Sequence, residues 1–201
     1  MAPEERREQI LQVATRIFRT RHYGDVSLDE IAESAGIARG LINHHFGTKR
    51  DLYVEVVRRF MQVPEMPVPD YVHGATLRDR MDQSVGAWLA TIERNRDLWS
   101  DSVRGAGLGD PEVARITEEA REVGAVRSAQ IMGLGPVDEL TPERLGMLRA
   151  WGALSEGAII QWLEYGRLTR EQVHHLVVET GARLAEGLMD EFAEAIGEGG
   201  R

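Results

Sequence analysis

Residues 27–53 read SLDEIAESAGIARGLINHHFGTKRDLY, and this stretch decides the fold of the chain. Ser27 is a favoured N-cap residue, and Glu30 follows three positions later, a spacing that predicts a capping box at a helix start. Gly36 suits the left-handed position that closes a helix. The stretch therefore predicts a helix of about two turns, a tight turn, and a second short helix that begins near Ala38.

The second short helix divides into two faces at about 100° per residue. Ala38, Ile42, His45 and Phe46 share the face that we expect to be buried. A glycine in the opposite face costs about 1 kcal/mol relative to alanine, but it lets another surface approach the backbone. Arginine and asparagine match guanine and adenine edges in the major groove. Gly40, Asn43 and His44 fill the outward face, with Arg39 and Leu41 at its borders.

Lys49 is the only lysine among 24 basic residues. It falls at the first position of the helix that Thr48 and Asp51 start, where the helix dipole disfavours a cation. The position makes sense if an external phosphate binds at this helix start. The alternative is an ordinary solvated lysine.

A pair of short helices joined by a glycine turn indicates a helix-turn-helix over residues 27–46. The alternative is a helical hairpin that serves stability alone. The first helix of the chain carries Ile10, Val13, Ala14, Ile17 and Phe18 at i, i+3, i+4 spacing, which provides an apolar face for the pair to pack on.

Residues 27–53 resemble the TetR family of bacterial transcriptional repressors, and the resemblance covers about residues 8–60. The family shares a capped short helix, a glycine turn, a recognition helix that ends in an aromatic-aromatic-His-Phe run, and then Thr/Ser-Lys-x-x-Leu. The resemblance implies that the second helix enters the major groove and that helix starts approach phosphates. The implied DNA contacts are Ser27, Arg39, Gly40, Leu41, Asn43, His44, Thr48 and Lys49.

Three positions depart from the family pattern. Asn43 stands where tyrosine is usual, His44 where an aromatic residue is common, and Gly47 where a basic or polar residue is frequent. Asn43 implies base chemistry different from that of the tyrosine. The operator sequence therefore does not follow from the resemblance.

The remainder of the chain reads as helical and separate from residues 4–64, the DNA-binding domain. Prolines in the segment VPEMPVPDYVHG predict a linker, and Asp110-Pro111, Thr141-Pro142 and Leu168-Thr169 each predict a helix start. Residues 65–196 form the larger predicted domain, and residues 197–201 a disordered tail. Gly105, Gly107 and Gly109 predict a turn. The fold class is all-α, with a three-helix N-terminal domain joined to a larger helical domain.

Composition narrows the functional classes. The net charge is −9, yet residues 1–62 carry 10 basic and 9 acidic side chains, so the acidity lies in residues 63–201. This asymmetry indicates two parts with different partners. The absence of cysteine is compatible with a reducing compartment. No signal peptide or membrane-spanning run occurs, so we expect a soluble cytoplasmic protein.

The family resemblance implies that the larger domain dimerises and binds a small molecule. Small residues on the last two helices allow close helix approach, which favours a four-helix dimer interface over a monomer core. The predicted interface residues are Leu154, Ala158, Trp162, Leu176, Leu184 and Leu188. Apolar residues at helical spacing usually fill a core, but six could line an effector cavity: Met81, Trp88, Trp99, Met132, Trp151 and Trp162.

No catalytic or metal-binding motif occurs in the sequence, so we expect neither enzyme activity nor a cofactor. Adjacent histidines at 44–45 and 174–175 diverge on a helix and cannot chelate one ion. We predict a homodimeric repressor that binds a palindromic operator and responds to a small apolar or amphipathic effector. The alternatives are a small all-helical enzyme and a helical module that binds protein.

Overall fold

The protein is described by a computed structural model over residues 2–62, 76–104 and 109–198, with side chains as far as residue 189. No strand occurs in these residues, and the all-α prediction is confirmed. Two 3-10 turns lie at Tyr23–Asp25 and Val137–Glu139. The helices are α1 (Pro3–Phe18), α2 (Leu28–Ala35), α3 (Arg39–Phe46), α4 (Lys49–Met61), α5 (Leu77–Arg94), α6 (Arg96–Val103), α7 (Pro111–Met132), α8 (Pro142–Leu163) and α9 (Arg170–Glu198).

The chain divides into two compact units, which are described separately below. Unit 1 combines residues 1–64 with residues 91–120, and unit 2 combines residues 65–90 with residues 121–201. The packing of unit 1 thus extends beyond the predicted DNA-binding domain. The predicted proline linker, and Gly105 and Gly107 of the predicted turn, lie outside the described residues.

The core of unit 1 follows the apolar stripes of its helices. Ile10, Ala14 and Phe18 of α1 are completely buried, as the stripe predicts. Full burial of a large apolar side chain contributes about 1.5–3 kcal/mol. These three pack in one cluster with residues of α2, α3, α4, α6 and α7, including Ile31, Ile42, Leu52, Val56, Leu98, Val113 and Ile116.

The ends of α2 explain why it is only two turns long. The Ser27 hydroxyl accepts a hydrogen bond from the backbone N–H of Glu30 at 3.1 Å. Gly36 closes the helix at φ 65°, and the next N–H reaches back to Ala32 O at 3.0 Å. The predicted capping box is wrong in its second half, because the Glu30 carboxylate bonds to Arg21 instead.

A break between α5 and α6 is not predicted from the sequence. Asn95 separates the two helices with φ −126° and ψ 33°. Its side chain turns back and donates to Thr91 O at 2.7 Å. Asparagine competes for backbone hydrogen bonds in this way, and an isolated Asn in a helical pattern does not reveal it.

The helix starts of unit 2 agree with the sequence predictions. Thr141 caps α8 by accepting from Arg144 N at 3.3 Å. Thr169 and Gln172 cap each other at the predicted start of α9, with bonds of 2.8 and 3.2 Å. Helix α9 continues through residues 197 and 198, which the sequence analysis assigns to the tail. Residues 199–201 lie outside the described residues.

Candidate nucleic-acid interface

Helix α3 presents one polar face outward and one apolar face to the core of unit 1. Ile42 is completely buried and Phe46 is 8% exposed. Two inward predictions need correction: Ala38 is exposed because it lies at the N-cap position before the first turn of α3, and His45 is only half-buried. The outward side chains Arg39, Asn43 and His44 are exposed together with Gly40, and Leu41 is half-buried.

Gly40 meets no internal constraint that would require glycine. It is exposed, and a Cβ built on it would have no neighbouring atom within 4 Å. The position lies inside a helix, where glycine is less stable than alanine by about 1 kcal/mol. Because packing does not explain this cost, the open surface above the backbone is the feature that glycine preserves.

The turn between α3 and α4 explains the glycine at position 47. Gly47 has φ 80°, which side-chain-bearing residues rarely adopt. Thr48 and Asp51 then cap each other, since Asp51 N donates to Thr48 Oγ1 at 3.1 Å and Thr48 N donates to Asp51 Oδ2 at 3.2 Å. This departure from the family pattern therefore serves the backbone conformation.

Lys49 has an internal partner that sequence reasoning missed. Its ammonium donates to the backbone oxygen of Tyr23 and lies 4.1 Å from the centre of the Tyr23 ring. Burial lowers the Lys49 pKa, and the nearby Asp25 carboxylate partly opposes this. Lys49 thus ties the start of α4 to the segment between α1 and α2. The ammonium has three N–H donors, so this contact is compatible with the predicted phosphate contact, which stays a prediction.

Two arginines near this surface form ion pairs with carboxylates. Arg39 Nη1 donates to Asp29 Oδ2 of α2 at 2.9 Å. Arg50 of α4 binds both oxygens of Asp110, with Nη2 to Oδ1 at 2.8 Å. The latter pair joins α4 to the start of α7 within unit 1, and it holds the Asp110 pKa below its usual value.

His22 joins the segment before α2 to helix α6 of unit 1. Its Nδ1 lies 2.8 Å from Asp101 Oδ1, and its Nε2 lies 3.9 Å from Asp97. The other Asp101 oxygen accepts from Tyr23 N at 2.7 Å. The hydrogen bond with Asp101 raises the His22 pKa, against the opposite effect of burial.

This raised pKa predicts that the His22 contact weakens at alkaline pH. The contribution to folding is complete below the ordinary histidine value of about 6.5, and is lost as pH rises through the higher folded-state pKa. We expect His22→Gln to destabilise the protein most at acid pH, with a smaller effect as pH rises. Urea unfolding across this range measures it. His44→Gln is the matched control, since the His44 ring contacts His45 rather than a carboxylate. A His22 NMR titration midpoint at or below 6.5 would contradict the prediction.

The six residues predicted for an effector cavity are dispersed between the two units. Trp99 belongs to unit 1, whereas the other five belong to unit 2. Met81, Trp99 and Met132 are buried, while Trp88, Trp151 and Trp162 are half-buried. Met81 and Trp151 both pack against Gly181, where a Cβ would lie 2.5 Å from Met81 Cε. These two act as core residues in the structure, and the effector cavity stays a prediction.

The predicted dimer residues differ in exposure. Leu154 and Leu176 are 43% and 38% exposed, Trp162 and Leu184 are half-buried, and Ala158 and Leu188 are buried within unit 2. After the first turn, which carries the exposed Glu143, the exposed face of α8 consists of uncharged, mostly small residues: Gly146, Met147, Ala150, Ala153, Leu154 and Gly157. An uncharged helix face of this kind is typical of an interface.

Within the described residues, no group of three or more His, Asp or Glu side chains is placed to hold a metal ion. None of the helices described in the structure combines the length and apolar character needed to cross a membrane.

A capped α2 that packs on α1, a glycine turn, and an α3 that packs on α2 and α4 and exposes one polar face define a helix-turn-helix protein. Residues 10–56 match the family profile described as "Bacterial regulatory proteins, tetR family". This region of the chain therefore belongs to the family, and the relatives and solved structures that the chain resembles are transcriptional regulators by name.

Three curated relatives are similar over part of their length. The transcriptional regulator HbdR of Aromatoleum sp. (strain CIB) is 32% identical over 47% of this chain and 42% of its own. The transcriptional activator FasR of Mycolicibacterium smegmatis is 29% identical over 59% and 55%. The transcriptional repressor KstR2 of the same species is 39% identical over 45% and 43%. The chain thus spans about half the length of these relatives.

Solved structures resemble the whole fold. A TetR-family regulator from Streptomyces coelicolor superposes with a TM-score of 0.73 at 22% identity, covering 98% of this chain and 97% of its own. A putative regulator from Saccharomonospora viridis in complex with choline gives 0.66 at 21% identity, covering 91% and 96%. At these identities the likeness concerns the fold.

Proposed function

We propose that this protein binds double-stranded DNA as a homodimer and represses transcription from an inverted-repeat operator. The observation that carries the proposal is the outward face of α3, where Arg39, Asn43 and His44 are exposed around Gly40. In this proposal α3 lies in the major groove, and Gly40 allows its backbone to approach the bases.

The side chains of α3 contact different parts of the DNA. Arginine binds guanine O6 and N7 with two hydrogen bonds, and asparagine binds adenine N6 and N7 in the same way. Each such pair discriminates against a wrong base by about 1–3 kcal/mol. Arg39 and Asn43 therefore read bases, while Leu41 and His44 add contacts at the groove edge.

The helix starts on either side of α3 position it on the DNA backbone. Ser27 begins α2 and Thr48 begins α4, and both ends favour an anion. Both hydroxyls accept a hydrogen bond from a helix N–H group. The Ser27 hydroxyl proton remains available to a phosphate oxygen, whereas Thr48 donates its own proton to Asp51 Oδ2 at 2.6 Å. The Lys49 ammonium next to Thr48 adds charge to the same contact.

A small molecule regulates this binding by population shift. Such an effector binds more tightly to the state of the dimer in which the spacing of the recognition helices does not fit the operator. The DNA affinity then falls by the difference between the effector's binding free energies for the two states. Complex formation with choline by the S. viridis protein supports a small effector, which we take to be apolar or amphipathic. By name, the relatives include both repressors and an activator. We favour repression because KstR2 and a further relative, AcnR of Corynebacterium glutamicum, are both named transcriptional repressors.

Selection of binding sites from a pool of random duplexes tests the DNA-binding proposal. We expect enrichment of an inverted repeat whose half-sites are centred about one helical turn, or a small multiple of it, apart. Enrichment of direct repeats alone would contradict a two-fold dimer. A pool without any enriched sequence would contradict sequence-specific binding.

The exposed face of α8 leads to a prediction about assembly. Leu154→Glu places a charge in a two-fold interface twice, once from each subunit, which costs several kcal/mol. Since Leu154 is 43% exposed within one chain, we expect each chain to stay folded while the dimer dissociates. Sedimentation velocity measures the assembly. Val123→Glu is the control, because Val123 is 63% exposed and lies on α7. A Leu154→Glu dimer of unchanged affinity would place the interface elsewhere.

A further inference from the structure

The ion pair between α2 and α3 sits beside the surface that we propose for DNA. Asp29 lies in the first turn of α2, and Arg39 is the first residue of α3. Arg39 Nη1 donates to Asp29 Oδ2 at 2.9 Å, and the two side chains are 56% and 67% exposed.

Stability explains this pair poorly. An ion pair between two such exposed side chains contributes little to folding, because water screens it and two long side chains lose freedom. A carboxylate at this place also repels DNA phosphates. Its presence therefore lowers non-specific DNA affinity and needs a compensating role.

The geometry offers such a role. A guanidinium is planar and carries five N–H donors in a fixed fork. The bond to Asp29 uses one donor on Nη1, and the remaining donors keep the orientation that this bond imposes. An arginine held in this way loses less rotamer freedom when it binds a base than an unrestrained one does.

We propose that Asp29 is a positioning residue that orients Arg39 towards a guanine and restrains it from binding phosphates. This inference rests on the proposed function. Asp29 acts through Arg39 and contributes to specificity in two ways. It orients Arg39 for the contact with guanine, and its charge disfavours the contact of Arg39 with a phosphate.

Glu30 provides a matched control on the same helix. Like Asp29, it is an acidic residue of the first turn of α2 that pairs with an arginine. Its partner, Arg21, precedes α2 and is not on the outward face of α3. Asp29→Asn and Glu30→Gln thus remove the same charge from the same helix turn, and only the first releases Arg39.

The test compares dissociation constants for the selected operator and for an unrelated duplex at one salt concentration. The specificity ratio is the dissociation constant for the unrelated duplex divided by that for the operator. We expect Asp29→Asn to reduce this ratio by about tenfold, which is within the discrimination of one bidentate contact. Non-specific affinity should equal or exceed that of the wild type. Glu30→Gln should shift both constants alike and leave the ratio unchanged.

A double-mutant cycle separates this role from a structural one. In an Arg39→Ala background, Asp29→Asn should leave the ratio unchanged, because the residue that it positions is gone. An Asp29→Asn ratio that changes no more than the Glu30→Gln ratio would overturn the proposal and leave Asp29 as a helix-start residue. If the wild type bound no duplex selectively, the proposed function itself would fail, which is a distinguishable result.

Discussion

Gly40→Glu is expected to abolish operator binding without unfolding the protein. The new side chain projects from the centre of the outward α3 face, where a Cβ meets no protein atom within 4 Å. Within unit 1 it has room, so folding should tolerate it. In the major groove it would keep the helix backbone away from the bases and place a negative charge near phosphates. Such a juxtaposition costs several kcal/mol, which corresponds to a loss of about 100-fold or more.

Gly40→Ala tests the same surface with a smaller side chain, and we expect it to stabilise the fold but to weaken operator binding. Alanine should raise the free energy of unfolding by roughly 0.5–1 kcal/mol, because glycine is the poorer helix former. The added methyl group should nevertheless weaken operator binding if the groove contacts the backbone here.

Fluorescence anisotropy with a labelled operator, together with thermal melting, measures both effects. Gly124→Ala and Gly124→Glu are the controls, because Gly124 is an exposed helical glycine of unit 2 that likewise has open space around it. They should leave affinity unchanged. Full operator affinity in folded Gly40→Glu would show that the α3 surface does not enter the groove.

Gly181→Val is expected to destabilise the protein more than the substitutions of Gly40 and Gly124. A Cβ at this position of α9 would lie 2.5 Å from Met81 Cε and 2.9 Å from Trp151 Cζ2. The indole of Trp151 has little room to move, since its Nε1 donates to Val177 O at 3.3 Å and to Thr180 Oγ1 at 3.2 Å. Overpacking of this kind costs about 1–3 kcal/mol and occasionally more.

The melting temperature is the readout for Gly181→Val. In a chain of this size a loss of 1 kcal/mol lowers it by roughly 2–4 °C. Gly124→Ala is again the control and should be neutral or slightly stabilising. A Gly181→Val protein as stable as the wild type would mean that Met81 and Trp151 move aside easily, as residues lining an adaptable cavity would.

The helix starts and turns of the N-terminal region could be predicted because their signals are local. Ser27 and Thr48 cap helices, and Gly36 closes one, through contacts within five residues. The outward face of α3 could be predicted for the same reason, since helical periodicity alone separates Asn43 from Ile42.

The partners of the charged side chains could not be predicted, because they depend on how separate elements pack. Arg39 meets Asp29 from another helix, and Arg50 meets Asp110, 60 residues away in the sequence. Lys49 is the clearest example of a partner that the sequence does not predict. Its helix-start position indicated a phosphate site, but nothing in the sequence placed the Tyr23 carbonyl and ring beside it.

In unit 2 the sequence identified apolar residues but could not distinguish core from surface among them. Leu154 and Ala158 lie one turn apart on α8, yet the first is exposed and the second buried. Periodicity assigns residues to a face, and when several faces of a helix are apolar it does not say which one another element covers.

Protection of the selected operator from dimethyl sulfate tests the central claim most directly. The reagent methylates guanine N7, which lies in the major groove, and adenine N3, which lies in the minor groove. If α3 reads the major groove through Arg39, the bound protein should protect guanine N7 in two dyad-related half-sites, and Gly40→Glu should abolish that protection. A complex that forms with full occupancy yet leaves every guanine N7 reactive, or protects adenine N3 alone, would contradict the account.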